Sequence, residues 1–509
     1  MVPGDGGGGL MRGDLLVEPV DGLDEVFAAV DAFDTVLVAG LLRPQPAQGA
    51  ALAGLAEAVA GTPLADRVAE AAARAAAGTA GEEHFVALAA ARSALLGSVH
   101  DALTSRIDQA IGRTGTEGAG PDRTGGPHTA DPDGSVPGGS GPDGPLPDGD
   151  APSAASPSPS PEYGANLLGA ARAWLCDLAR RGWQGIDHEL VAGAVPVVSA
   201  MLPDPVLRRP ATLLDGFAAE LAASCPGATL ERVPVRRWAD LWARAVLLTV
   251  PGALSAAGVS STATGRLLPL GVDVSEHATA VQAQVHAVFE PAGGGPPRLV
   301  RAGVSAPKPD TVVGAGLWQL LRPRLSLLGA VSEGRSMVLD AMPVTPEGDL
   351  LWDEGRARPG EPADAFATAR VMLSAAVSDA VAPLDRHPVR IAAPVLLEGY
   401  AAHGTDDRLT FEVAGGRLAV DTDRVPAAGP LTPEAVAASG ACLALLRWDA
   451  GEFRLQPLAV EATVRKKSVA VHAGAWAGGT TDKAGVRAEK ASTDAAAVLR
   501  ERAGRLLRK

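Results

Sequence analysis

Val281-Gln282-Ala283-Gln284-Val285-His286-Ala287 is the stretch on which the fold class turns. Apolar and polar residues alternate over it without a break, which reads as a half-buried strand with Gln282, Gln284 and His286 pointing outward. On its N-terminal side the apolar spacing is close to four. Leu95, Val99, Leu103, Ile107 and Ile111 step along a helix expected from Glu82 to Ile111, and Leu167, Ala171, Trp174 and Leu178 share the face of another. Trp238, Leu241, Trp242, Ala245 and Leu248 line a third, with Arg236, Asp240 and Arg244 opposite. From about Gly265 the period becomes two. Leu409–Val413 and Leu418–Val420 flank a glycine turn, Leu443–Trp448 and Phe453–Val460 flank Asp449-Ala450-Gly451, and Ser468–His472 follows as a further strand. Helical stretches at Asp364–Val377 and Pro433–Ser439 interrupt the strands. The expectation is an α+β multidomain chain whose last large unit is mostly antiparallel β.

Composition sets the outer divisions. The segment TGTEGAGPDRTGGPHTADPDGSVPGGSGPDGPLPDGDAPSAASPSPSP, within 113–162, has almost no bulky apolar residue and cannot offset its ordering entropy. It reads as a disordered linker of ~50 residues, with an end-to-end reach of roughly 40 Å. The expected order is therefore a disordered N-terminus at 1–14, a mostly helical module at 15–112, the linker, a helical block at 163–258, a β-rich α+β domain at 259–474 and a basic tail with a helix, Thr493–Arg508, at 475–509. Within the first module Leu23, Phe27 and Val30 repeat at helical spacing, Thr35–Ala39 reads as one buried strand, and Thr62-Pro63 reads as a helix start. Thr212 and Asp215 suggest another start. Met11 offers a second translation start.

With 47% hydrophobic and 20% charged residues the 509-residue chain can bury several cores. A net charge of −14 opposes whole-surface attraction to nucleic acid or anionic lipid. The opposite sign is concentrated after Ala462, where eleven Lys/Arg stand against four Asp/Glu. Cys176, Cys225 and Cys442 are odd in number and far apart, which argues against a disulfide framework and against CxxC zinc ligands. No signal peptide and no apolar stretch of membrane-spanning length is visible, so the cytoplasm is the expected compartment and no membrane is expected as a partner.

The motifs of catalysis do not assemble. There is no GxxxxGK[ST] and no GxSxG. Ser305 and Lys308 form an SxxK pair, but Pro307 and Pro309 disfavour the helical turn that would join them, and Lys308 reads as a solvated loop residue. His188, His387, His403, His277 and His286 lack metal-ligand spacing and read as surface or cap residues. Asp421 and Asp423 read as turn formers, Trp238 and Trp242 as core. No catalytic residue, metal or cofactor is assigned. Arg465, Lys466 and Lys467 remain as a candidate interaction patch: they suit an acidic protein or nucleic acid, and equally an edge strand guarded by lysines.

VPVRRWADLWARAVLL at 233–248 and LLRWDAGEFRLQPLAVEATVRKKSVAVHAG at 445–474 resemble a family of actinobacterial cytosolic proteins found in gene neighbourhoods of MoxR-type ATPases and SWIM zinc-finger proteins. The resemblance brings no activity and no catalytic residue. It implies a bacterial accessory partner of such an ATPase system, since the chain carries neither the phosphate loop nor the CxC…CxH zinc ligands. The resulting expectation is a non-catalytic accessory or scaffold protein that binds protein partners. Two alternatives stand beside it. One is an enzyme whose site gathers Asp340, Asp353, Glu354, His387 and Arg390 in the β-rich domain. The other is nucleic-acid binding through the basic end.

Overall fold

The computed structural model describes residues 11–113 and 161–480, apart from 228–232, 254–260, 278, 310–311, 322–324, 405–407 and 465–466, together with single positions from 483 to 494. Among the described residues ten α-helices come first: α1 (Gly13–Val17), α2 (Leu23–Ala39), α3 (Pro46–Ala58), α4 (Ala65–Ala76), α5 (Glu82–Ala110), α6 (Pro161–Arg181), α7 (His188–Ala192), α8 (Ala194–Met201), α9 (Arg208–Ala223) and α10 (Val235–Leu248). The long periodic α5 and the tryptophan-bearing α10 form where their spacing predicts. Thr35–Ala39 is not a strand; it is the last turn of α2, because Val36 and Leu37 gain more from the helical core around them than a β-branched run gains from an isolated extended segment. The helix expected to start at Thr212 begins at Arg208, and the Thr212 hydroxyl donates back to the Arg208 carbonyl at 2.7 Å.

The helices on either side of residues 114–160 share one core. Phe33, Leu88 and Leu96 from the first group pack with Trp174, Leu178, Trp238 and Trp242 from the second. Trp242 meets Phe85 edge-on at 6.4 Å, and Trp183 meets Trp238 at 5.6 Å. Inside this core Arg92 donates to both oxygens of Asp34, at 2.7 and 2.9 Å, with neither side chain more than 2% exposed. The two helical regions thus make one platform.

The β region follows as β1 (Ser261–Glu276), β2 (Ala280–Pro291), β3 (Arg298–Pro307), α11 (Leu317–Leu321), α12 (Leu325–Glu333), β4 (Arg335–Val344), β5 (Asp349–Leu350), β6 (Ala357–Pro362), α13 (Ala365–Met372), β7 (Val377–Ser378), β8 (Ala393–Glu398), β9 (Ala401–His403), β10 (Thr410–Val413), β11 (Gly416–Val420), α14 (Pro433–Ala437), β12 (Ala441–Asp449), β13 (Glu452–Val464) and β14 (Lys467–His472). It is a pair of barrels. In the first, β1 pairs with β4 through its N-terminal half and with β2 through its C-terminal half; β2 pairs with β3, β3 runs parallel to β5, and β5 returns to β4. The circuit β1-β2-β3-β5-β4-β1 is closed, and α11 and α12 lie in the chain between its third and fourth strands.

The second barrel repeats this path. Its first strand is β8 and β9 taken together, bent at Gly399, whose φ of 67° lies in the left-handed region. β8 pairs with β12, β9 with β10, β10 with β11, β11 parallel with β13, and β13 with β12, with α14 between third and fourth strands. This is the connectivity of an OB-type barrel, used twice. Period-two alternation cannot reveal such closure, because β5 and β9 are only two and three residues long and closure needs pairings between distant segments.

The barrels dock side by side. Leu268, Leu270 and Val288 pack with Leu443, Ala459 and α13. Gly271 lies so close to Leu458 that an added Cβ would sit 2.8 Å from the leucine Cβ. Met11 and Leu16 belong to the barrel core, and Gly13 abuts Val413 and Gly416, so the chain is packed against the second barrel from residue 11 onward. Ala473 and Ala477 close the same core, so the residues just past β14 are packed too. The helix expected at Thr493–Arg508 lies outside the described residues apart from Asp494. α5 joins platform to barrels. Its 29 residues span about 43 Å; Phe85 to Leu96 enter the helical core, and Val99, Leu103 and Ile107 enter the core of the barrels.

Candidate functional site

The alternation of β2 sends Val281, Ala283, Val285 and Ala287 into the first barrel and leaves Gln282, Gln284 and His286 on its outer face, as the sequence predicts. On that face they sit opposite Ser305, Gly303 and Arg301 of β3. The expectation that His286 is a surface residue fails. It is 1% exposed, with Arg301 of β3 and Arg447 of the second barrel near enough to act on its charge, and it lines a cleft that the C-terminal third of α5 and the segment from β7 to β8 also line. The cleft, of about 690 Å³, is lined by His100, Asp101, Thr104 and Asp108 of α5, by His286 and Arg301, by Glu347 of the β4–β5 turn, and by Asp379, Arg386 and Arg390. Its size is that of a small-molecule site, and it lies between structural units, where such sites concentrate.

His286 is the unusual group. Its Nε2 is buried and has no hydrogen-bond partner among the described residues. Leaving a buried polar atom bare costs about 1–3 kcal/mol. Burial, helped by the charges of Arg301 and Arg447, brings its pKa down to about 3, so the ring is neutral at physiological pH. Arg447 belongs to the second barrel, where it bonds Gln456 and donates to Asp273 of β1 at 2.7 Å.

The arginines of the cleft are each partly engaged. Arg301 donates through Nε and Nη2 to Asp349, at 2.7 and 3.0 Å. Arg386 donates to the Val381 carbonyl at 2.9 Å and to Asp101 at 3.2 Å. Arg390 donates through Nη1 to Asp385 at 2.7 Å. Among the described residues the remaining edges, Nη1 of Arg301, Nη2 of Arg386 and Nε and Nη2 of Arg390, have no partner. The carboxylates are largely engaged: Asp101 also meets His100 Nδ1 at 3.0 Å, Asp108 lies 3.7 Å from Arg113, and Asp379 takes a hydrogen bond from Arg298. Glu347 has no partner among the described residues.

Beside the cleft a charge cluster joins platform to barrels. Asp385 accepts from Arg209 of α9 at 3.0 Å, Arg244 of α10 at 3.1 Å and Arg390. His387 Nε2 lies 3.7 Å from Asp240, and Arg92 lies 3.6 Å from the same carboxylate. Burial lowers the pKa of His387 to about 4.

The residues nominated from sequence for an enzyme do not gather. His387 and Arg390 face the platform, whereas Asp353 caps a turn beside Arg356, Glu354 accepts from Trp352 at 3.1 Å, and Asp340 is exposed on β4. Lys308 is not solvated. It is buried and lies 3.2 Å from Glu276, while Ser305 is exposed on β3. Asp421 is held by Arg454. Burial raises the pKa of Cys176 to about 12 and raises those of Cys442 and Cys225 as well, which removes thiolate character. Among the described residues no group of three or more His, Cys, Asp or Glu could hold a metal ion, and no helix is long and apolar enough to cross a membrane. Arg465 and Lys466 lie outside the described residues; Lys467 opens β14, with its backbone paired to Val464. Sequence reasoning missed Arg301, Arg386, Glu347 and His100. The alternation around His286 was the available signal, but the elements that line the cleft with it are distant in the chain. No family model, no curated protein and no solved structure matches this chain.

Proposed function

We propose that this chain is a non-catalytic binding and scaffold protein in which a ligand, taken into the cleft over the first barrel, is held between platform and barrel while the combined body engages a protein partner. The observation that carries the reading is the cleft over that barrel: a buried, neutral His286 with a bare Nε2, in a lining shared with α5. The nucleic-acid alternative draws no support there, because no Phe, Tyr or Trp lines the cleft for stacking. An accessory role beside an ATPase belongs to the same proposal and rests on the resemblance of 233–248 and 445–474. Those stretches form α10, which carries Asp240 and Arg244 to the charge cluster, and β12 to β14 of the second barrel.

The test is retention of small molecules and proteins by the full-length chain from extracts of its native host, at low and high salt. The expected outcome is a low-molecular-weight species retained by the wild type and lost from a cleft variant such as Arg386→Gln. Recovery of the chain with neither ligand nor partner contradicts the reading.

A further inference from the structure

We propose that the cleft beneath α5 is a site for a small ligand bearing a terminal oxyanion, a carboxylate or a phosphate, with a hydroxyl or amino group at its other end. This rests on the binding role proposed above and names the chemistry of the ligand.

The argument is an inventory of donors and acceptors. The cleft has donors to spare in Nη1 of Arg301, Nη2 of Arg386 and the free nitrogens of Arg390. Three of its four carboxylates are engaged: Asp101 serves Arg386 and His100, Asp108 lies 3.7 Å from Arg113, and Asp379 serves Arg298, which leaves Glu347. These arginines are about a third to a half exposed, so water reaches them, and a ligand oxyanion that replaces that water meets guanidinium edges that favour the planar or tetrahedral oxygens of carboxylate and phosphate. His286 fits the same ligand. Its ring is neutral, it is flanked by Arg301 and Arg447, and its Nε2 can donate to an anionic oxygen without bringing a third charge. Glu347 of the β4–β5 turn lines the same cleft, and its carboxylate, unpartnered among the described residues, suits a donor on the ligand. At about 690 Å³ the cleft is too large for a lone ion. The absence of Phe, Tyr and Trp from its lining removes the stacking platform that a nucleobase or sugar ring would use.

The experiment is titration of the full-length chain, labelled with nitrogen-15 at histidine, with L-malate, glycerol 3-phosphate, glycerol and ethanolamine, read by calorimetry and by the His286 ring nitrogens. Malate or glycerol 3-phosphate is expected to move the Nε2 resonance. The preferred anion identifies which oxyanion is recognised. Arg386→Gln and Arg301→Gln are expected to weaken that binding about tenfold or more, and a circular dichroism spectrum matching wild type shows that each variant is folded. A response to glycerol or ethanolamine but to neither anion overturns the ligand class while leaving the cleft a binding site. Silence from all four probes, in a chain that still retains a small molecule from host extract, also overturns the ligand class. Silence together with an empty extract overturns the binding role itself.

Discussion

The two barrels follow one path of strands but differ in what lies over the second and third. In the first barrel these are β2 and β3, twelve and ten residues long, with α5 across a cleft at one end. In the second they are β10 and β11, four and five residues long and joined by a tight turn at Ala414-Gly415. Their outward cross-strand pairs differ in kind. Glu412 and Arg417 face each other in register and bond at 2.9 Å in solvent. His286 and Arg301 also face each other, yet the guanidinium turns away to Asp349 and the imidazole is left bare. A self-satisfied surface pair needs nothing further. An unsatisfied buried group beside a cleft is where a ligand gains most, so the proposed reading makes the same framework structural in one copy and ligand-binding in the other.

Four changes would break or sharpen this contrast. The largest effect is expected from Phe411→Ala, which empties the centre of the second barrel and removes the stack on Tyr400; unfolding in urea should show a loss of about 3–5 kcal/mol. If that barrel is structural, ligand affinity in the remaining folded protein stays as it was. Next comes Asp385→Ala, which leaves Arg209, Arg244 and Arg390 without their shared acceptor. The cost is about 2–4 kcal/mol, below that of a fully buried pair because two of the arginines are partly exposed. Limited proteolysis should then cut first where platform meets barrels.

The third change concerns acid. The folded pKa of His286 is depressed to about 3 from 6.5, so the unfolded chain binds its proton first as pH falls. The stability that the neutral ring contributes is complete above about pH 6.5 and is lost towards about pH 3, at no more than about 1.4 kcal/mol per pH unit. His387, depressed to about 4, adds a slope of the same sign. The difference between wild type and His286→Gln across a pH series of urea midpoints therefore isolates the cleft residue, and a flat difference would contradict its buried, neutral state. The smallest effect belongs to Arg417→Ala, where loss of an exposed pair should cost within about 1 kcal/mol and leave binding untouched.

Local pattern made much of this legible. The i,i+4 series of α5, the apolar face of α10 and the hairpins at 409–420 and 443–460 were all readable, because each depends on neighbours within a few turns. Closure was not. It requires β1 to meet β4 some seventy residues later, through a β5 of two residues with no period to detect. The site was half legible. Alternation places His286 on the outward face, but an outward face is exposed only if nothing packs near it, and Arg447 of the second barrel lies about 160 residues further along the chain. Lys308 was misread for the same reason: proline-flanked sequence says loop, and only the fold brings Glu276 to it.

The most direct measurement is hydrogen exchange of the full chain with and without the small-molecule pool of its native host. Added protection is predicted in α5 around His100–Asp108, in β2 and β3 around His286 and Arg301, and in the segment 378–394, with none in β10 and β11. Protection confined to the second barrel, or absent from all of these segments, would contradict the assignment of function to the first barrel.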